Sequence, residues 1–143
     1  SAVAIGGRAL AIEGPPGSGK STLALALIDR GAQLIGDDGI ALKRSGDRIV
    51  IAPPPNIAGL IEIRGVGIAK LPLADPAPLA LLLTLGAEGE RLPETTPSRE
   101  LLGCAIPSLP FEPGAIAPAV RAEWALVLHG LEFASLPAAN PRK

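Results

Sequence analysis

Gly14-Pro15-Pro16-Gly17-Ser18-Gly19-Lys20-Ser21 is the stretch on which the fold is decided. It has the form G-x-x-x-x-G-K-S. The residues before it, Arg8-Ala9-Leu10-Ala11-Ile12-Glu13, read as a strand. The residues after it, from Thr22 to Arg30, read as a helix stopped by Gly31. Strand, loop and helix in that order are the context a phosphate-binding loop requires. Its glycines let the backbone approach an anion closely. Pro15 and Pro16 have no N–H, so the donors are the amides of residues 17–21, reinforced by the helix dipole. Lys20 reaches the β- and γ-phosphates as a point charge, and the Ser21 hydroxyl is a ligand for Mg²⁺. The nucleotide-binding set is therefore Gly14, Pro15, Pro16, Gly17, Ser18, Gly19, Lys20, Ser21 and Thr22.

Composition narrows the classes. A chain of 143 residues fits a single domain, read here over 1–143 with a frayed tail at 137–143. Hydrophobic residues make up 48% but aromatics only 2%, so the core is Ala, Leu, Ile and Val. Phe111, Trp124 and Phe133 are the only rings on which a base could stack. A net charge of −1 gives no general attraction to nucleic acid or anionic membrane, and neither is expected as a partner. The single Cys104 excludes an internal disulfide and fits a reducing, cytoplasmic location. No apolar run has the ~20 residues needed to span a bilayer.

Working outward, Val3-Ala4-Ile5 and residues 8–12 read as a hairpin turned at Gly6-Gly7. Gln33-Leu34-Ile35-Gly36 reads as a strand ending in Asp37-Asp38. In α/β sheets ligands sit beyond the carboxyl ends of strands, so Asp37, Asp38 and Glu62 are the best-placed acids. Asp37 and Asp38 are adjacent and face opposite ways, and only one of them reaches a γ-phosphate. Residues 40–43 and 48–51 read as a second hairpin. Leu60-Ile61-Glu62-Ile63-Arg64-Gly65-Val66-Gly67-Ile68 alternates like a single strand, with Glu62 and Arg64 on one face. Residues 79–85 read as a buried central strand and 87–97 as a surface loop. Residues 98–103 read as a short helix, 106–111 as an edge strand limited by Pro107 and Pro110, and 115–128 as the last helix. His129, in the last turn of that helix, is read as a residue favoured by the dipole rather than a catalytic one.

The loop, the strand ending in Ile35-Gly36-Asp37-Asp38, and Glu62-Ile63-Arg64-Gly65-Val66-Gly67-Ile68 at these separations together resemble the catalytic domain of HPr kinase/phosphorylase. The likeness covers roughly residues 8–70. It implies an α/β fold with a mixed sheet, of the P-loop, phosphoenolpyruvate carboxykinase-like kind. It also implies a protein-serine kinase, dependent on ATP and Mg²⁺ with pyrophosphate as an alternative donor. The implied acceptor is a serine of HPr or an HPr-like phosphocarrier of the phosphotransferase system, so that the enzyme regulates carbohydrate metabolism. By resemblance the assembly is a homo-oligomer, a hexamer.

Residue by residue, the resemblance gives Lys20 as the catalytic lysine and Asp38 as the group that accepts the serine proton. Ser21 and Glu62 match the metal ligands, with Asp37 a further candidate near the metal. Arg64 helps order the segment used in catalysis. The sequence departs from the family at Thr22, where the family has Glu. It departs again at Leu71-Pro72-Leu73-Ala74-Asp75-Pro76-Ala77-Pro78, where the family carries a basic loop used in dephosphorylation. The family histidine falls just ahead of Ser1. Two other readings stand beside the kinase: a nucleotide-sensing module without turnover, and a small-molecule kinase using Arg91 and Arg99 on a lid.

Overall fold

The computed structural model describes residues 1–55 and 59–133; the tail read at 137–143 lies outside them. Strands β1 (Ala2–Ile5) and β2 (Arg8–Glu13) form an antiparallel hairpin, with Ile5 opposite Arg8 across the two glycines. The loop then leads into helix α1 (Lys20–Asp29), and α1 into strand β3 (Gln33–Gly36). β3 pairs with β1 rather than with β2, so it runs parallel to β2 with β1 between them. The next hairpin is β4 (Ala41–Ser45) with β5 (Arg48–Ala52).

Strand β8 (Ala77–Thr84) is the centre of the sheet, as its unbroken aliphatic run demands. It lies parallel to β2 on one side and to β10 (Cys104–Pro110) on the other, while β5 pairs with its first residues. The sheet order is β3-β1-β2-β8-β10-β9, where β9 is Ser98–Leu101. Parallel and antiparallel pairs coexist, so the fold is mixed α/β, as expected. Helix α2 (Pro118–His129) packs beside α1 on one face of the sheet. The other face is covered by the β4–β5 hairpin, with Ile49 and Ile51 against Ala9, Ala11, Leu79 and Leu82. Leu10, Leu81 and Leu83 are fully buried on the helical side. Burying each such side chain contributes about 1.5–3 kcal/mol, which offsets the absence of large rings.

α1 is rich in Ala and Leu, both strong helix formers. Being apolar nearly all round it needs more than one cover, and it has three: the sheet, α2 and strand β6 (Leu60–Ile63). Arg30, which follows α1, ties to the buried Glu123 of α2 at 2.7 Å.

Three readings are corrected. Residues 60–68 are not one strand: β6 turns through Arg64 and Gly65 into β7 (Gly67–Lys70), a separate two-stranded sheet. The turn takes Gly65 at φ 76°, and the alternation reads the same on both arms, which hides the reversal. Residues 98–103 are not helix: β9 pairs antiparallel with β10 through a two-residue turn, Leu102 and Gly103, both at positive φ. β10 is not the outermost strand of the sheet, since β9 lies beyond it. Pro107 and Pro110 are tolerated because its two neighbours use different halves, β9 residues 104–107 and β8 residues 108–110.

Candidate functional site

The carboxyl ends of β2 and β3 point the same way, and the chemistry gathers there. Residues 14–19 link β2 to α1. Gly14 cannot be replaced by a residue with a side chain without displacement: a Cβ there would stand 2.7 Å from Ser18 Oγ and 3.0 Å from the Leu85 carbonyl oxygen. Gly19 caps α1 at φ 97°, a left-handed conformation that glycine adopts without strain. No side chain caps the helix, and its first internal bond is Leu23 N–H to Gly19 O at 2.9 Å. The amides of Lys20, Ser21 and Thr22 therefore have no intrahelical acceptor and form the positive end of α1. The Lys20 ammonium rests on the carbonyls of Gly14 at 2.7 Å and Pro15 at 3.3 Å, beside those amides.

Just past β3, the two acids separate as the alternation required. Asp37 turns inward and is 9% exposed. Its Oδ1 accepts from Ser21 Oγ at 2.6 Å and from Ser1 Oγ at 2.8 Å, and its Oδ2 accepts the Glu62 backbone N–H at 3.1 Å. One carboxylate thus joins the start of α1 to β6. Asp38 turns outward, exposed. It lines a cavity of about 570 Å³ together with Lys20, Ser21, Thr22, Glu62 and Arg64. Pro16, Gly17 and Gly19 complete its rim.

Glu62 and Arg64 reach this cavity from β6 and from the turn after it. The hairpin does what one strand was expected to do. Gly14, Pro15 and Ser18 belong to the loop but not to the lining of this cavity. Arg91 and Arg99 are not in the lining either, and Arg99 pairs with Glu13. His129 hydrogen-bonds Thr96 at the end of α2.

A divalent ion of the Mg²⁺ kind takes hard oxygen ligands and few protein groups, with phosphates and water filling the rest. Ser21, Glu62, Asp37 and Asp38 supply oxygens only, which suits it. Among the described residues no three His, Cys, Asp or Glu side chains converge as a self-sufficient metal cluster. Asp37, engaged by three donors, is placed to hold Ser21 rather than to project into the cavity.

Sequence reading missed the Ser21–Asp37 pair and the wall formed by Glu112, Pro113 and Gly114. The first follows from nothing in the spacing. The second had a signal, since a Pro-Gly turn follows an apolar strand.

Buried Arg8 lies away from these groups. Its Nη1 donates to the Leu131 carbonyl at 2.7 Å, just beyond α2. Burial pushes its guanidinium below the ordinary arginine range, with Glu132 opposing the shift.

Comparison with known proteins bears on this arrangement. Residues 1–72 match the family model described as HPr Serine kinase C-terminal domain, a span that includes every residue of the cavity lining. An HPr kinase/phosphorylase of Exiguobacterium sp. is 42% identical over 67 residues, which are 46% of this chain and 22% of that protein. One from Chlorobium phaeobacteroides (strain BS1) is 30% identical over 129 residues, 80% of this chain and 38% of that protein. The chain therefore spans well under half the length of these relatives. The solved Hpr(Ser) kinase/phosphatase from Coxiella burnetii superposes with a TM-score of 0.71 at 28% identity, covering 85% of this chain and 82% of that one. On the family model, the relatives and the shared fold together, the chain belongs to the HPr serine kinase C-terminal domain family.

Proposed function

We propose that the chain carries the catalytic centre of an ATP-dependent protein-serine kinase acting on HPr or an HPr-like phosphocarrier. The observation that carries this reading is the meeting of Lys20, Ser21, Asp38, Glu62 and Arg64 around one cavity at the amino end of α1. The 14–21 loop is then a P-loop, and the domain is of the phosphoenolpyruvate carboxykinase-like kind.

The polyphosphate lies on the amides of α1's first turn, where the helix dipole favours an anion. Lys20 swings from its carbonyl perch onto the β- and γ-phosphates. A serine hydroxyl of the acceptor approaches from the open side, beside Asp38. Its oxygen forms a bond to the γ-phosphorus as the bond to the bridging oxygen of ADP breaks. The proton passes to an Asp38 carboxylate oxygen, as suits a general base placed in the cavity. Lys20 spreads the charge on the transferring group. Ser21 and Glu62, with Asp37 behind Ser21, would hold Mg²⁺, whose charge would neutralise the phosphate oxygens. Arg64 faces the same space and orients the acceptor side.

The test is incubation with ATP, Mg²⁺ and a purified carrier, reading phosphoserine by mass spectrometry. Transfer to one serine is the expected result. No transfer, with nucleotide and carrier both shown to bind, would favour a nucleotide-sensing module instead. Replacing ATP by pyrophosphate in the same assay tests the alternative donor.

A further inference from the structure

A second cavity, of about 460 Å³, adjoins the first, and the two share Gly19 and Thr22. Leu23 and Ala26 of α1 form one side of it. Glu112, Pro113 and Gly114, which follow β10, form another. Gly86, which follows β8, and Pro118, the first residue of α2, also line it.

These segments converge because β2, β8 and β10 are parallel and end level: Glu13 is opposite Thr84, and Thr84 is opposite Pro110. A crevice beyond the carboxyl ends of parallel strands is where α/β sheets take ligands. The volume is that of a small-molecule pocket.

The outer wall is held in place. Arg121 donates to the carbonyls of Glu112 and Pro113, each at 2.8 Å, and to that of Ile116 at 3.4 Å. Its guanidinium lies over the Phe111 ring, 4.8 Å from the centroid. A wall fixed beforehand costs little ordering when a ligand arrives.

We infer that this second cavity receives the nucleoside half of the nucleotide, with Glu112 accepting hydrogen bonds from the ribose hydroxyls. The inference rests on the polyphosphate lying in the 14–21 cradle, from which a nucleotide passes over Thr22 into the second cavity. Among the described residues Glu112 accepts a hydrogen bond at its backbone carbonyl alone, and its carboxylate is in no hydrogen bond or ion pair and so is available. A carboxylate accepts only, which matches a pair of sugar hydroxyls.

The base meets Leu23, Ala26, Pro113 and Pro118, aliphatic surfaces that hold a flat ring by area. No Asn or Gln lines the slot, Pro113 has no N–H, and the carbonyls of Glu112 and Pro113 already accept from Arg121. Phe111 is buried beneath Arg121 and offers no stacking face. Glu112 therefore reads the sugar, and the base is held by aliphatic area.

The test measures binding of ATP, 2′-deoxy-ATP and inorganic tripolyphosphate, with Mg²⁺, to the unaltered chain and to Ala26→Phe and Glu112→Ala. ATP is expected to bind the unaltered chain at least about tenfold more tightly than tripolyphosphate, and Ala26→Phe to remove that advantage. Glu112→Ala is expected to erase the difference between ATP and 2′-deoxy-ATP, a charge-assisted hydrogen bond corresponding to roughly tenfold. Unchanged tripolyphosphate binding certifies that each variant is folded, and Glu112→Ala carries the test if Ala26→Phe is not. If ATP binds no better than tripolyphosphate, or the folded variants bind ATP as the unaltered chain does, the nucleoside lies elsewhere and the phosphate cradle stands. If neither ligand binds the unaltered chain, the cradle and the slot fall together.

Discussion

Ser21 and Asp37 are joined oxygen to oxygen at 2.6 Å, and the same carboxylate holds the backbone of Glu62 through its other oxygen at 3.1 Å. Sixteen positions apart in sequence, the two side chains fix the register between the first turn of α1 and strand β6. Replacing Asp37 by Ala leaves the hydroxyls of Ser21 and Ser1 and a partly buried N–H without that acceptor. The expected loss is about 1–3 kcal/mol of stability, read by denaturant unfolding. The Mg²⁺ dependence of ATP binding is expected to weaken as well, because Ser21 is no longer held. A stability unchanged within error would show that the junction is not structural.

Lys20 offers a cleaner separation of fold from function. Among the described residues its ammonium hydrogen-bonds only the carbonyls of Gly14 and Pro15, so Lys20→Ala removes little packing. ATP affinity is expected to fall at least about tenfold, as for loss of a charge-assisted bond to phosphate, with the melting temperature nearly unchanged. Lys20→Arg is expected to fail as well, since a planar fork does not replace a point charge here. Calorimetric titration with ATP checks both variants.

Asp38 is exposed where Asp37 is buried, and a substitution there touches the cavity alone. Asp38→Asn is expected to lower the rate of phosphoryl transfer by roughly 10²–10⁴ while nucleotide binding stays near that of the unaltered chain. Single-turnover kinetics beside a binding isotherm separate the two. Equal losses in both would assign Asp38 to binding instead of proton transfer.

Leu102 is a stability prediction unconnected with chemistry. It is 55% exposed and sits at φ 49° in the two-residue turn between β9 and β10. A branched side chain in the left-handed region costs about 1–2 kcal/mol, and turns with two positive φ values favour Asn before Gly. Leu102→Asn, which makes an Asn-Gly turn with Gly103, is expected to raise stability by up to about 1 kcal/mol, measured as a higher denaturation midpoint.

That same turn shows where sequence reading ran out. Ser98 to Gly103 holds good helix formers and ends in a glycine, and local propensity favours a helix there. Pairing with β10 overrides it, and that partner is set by the whole sheet. Residues 60–68 failed differently, because period-two alternation is blind to a reversal between its arms. Elements whose character is local were legible: the strand, loop and helix around residues 8–30, the aliphatic run of β8, and the opposed facing of Asp37 and Asp38. Glu62 and Arg64 do line one cavity, but from a hairpin and not from the single strand expected. The crevice wall at residues 112–114 depends on three parallel strands ending level, a relation between distant segments that no window of sequence contains.

The division of labour along the chain has a practical outcome. Residues 1–72 hold every residue that lines the cavity around Lys20 and Asp38, yet β2 leans on β8, α1 leans on α2, and Arg8 is secured by the Leu131 carbonyl, all supplied by the later half. A recombinant fragment stopping at residue 72 would own the reagents without the bench. Its bare β2 margin would recruit other chains, and inclusion bodies, not a miniature catalyst, would be recovered.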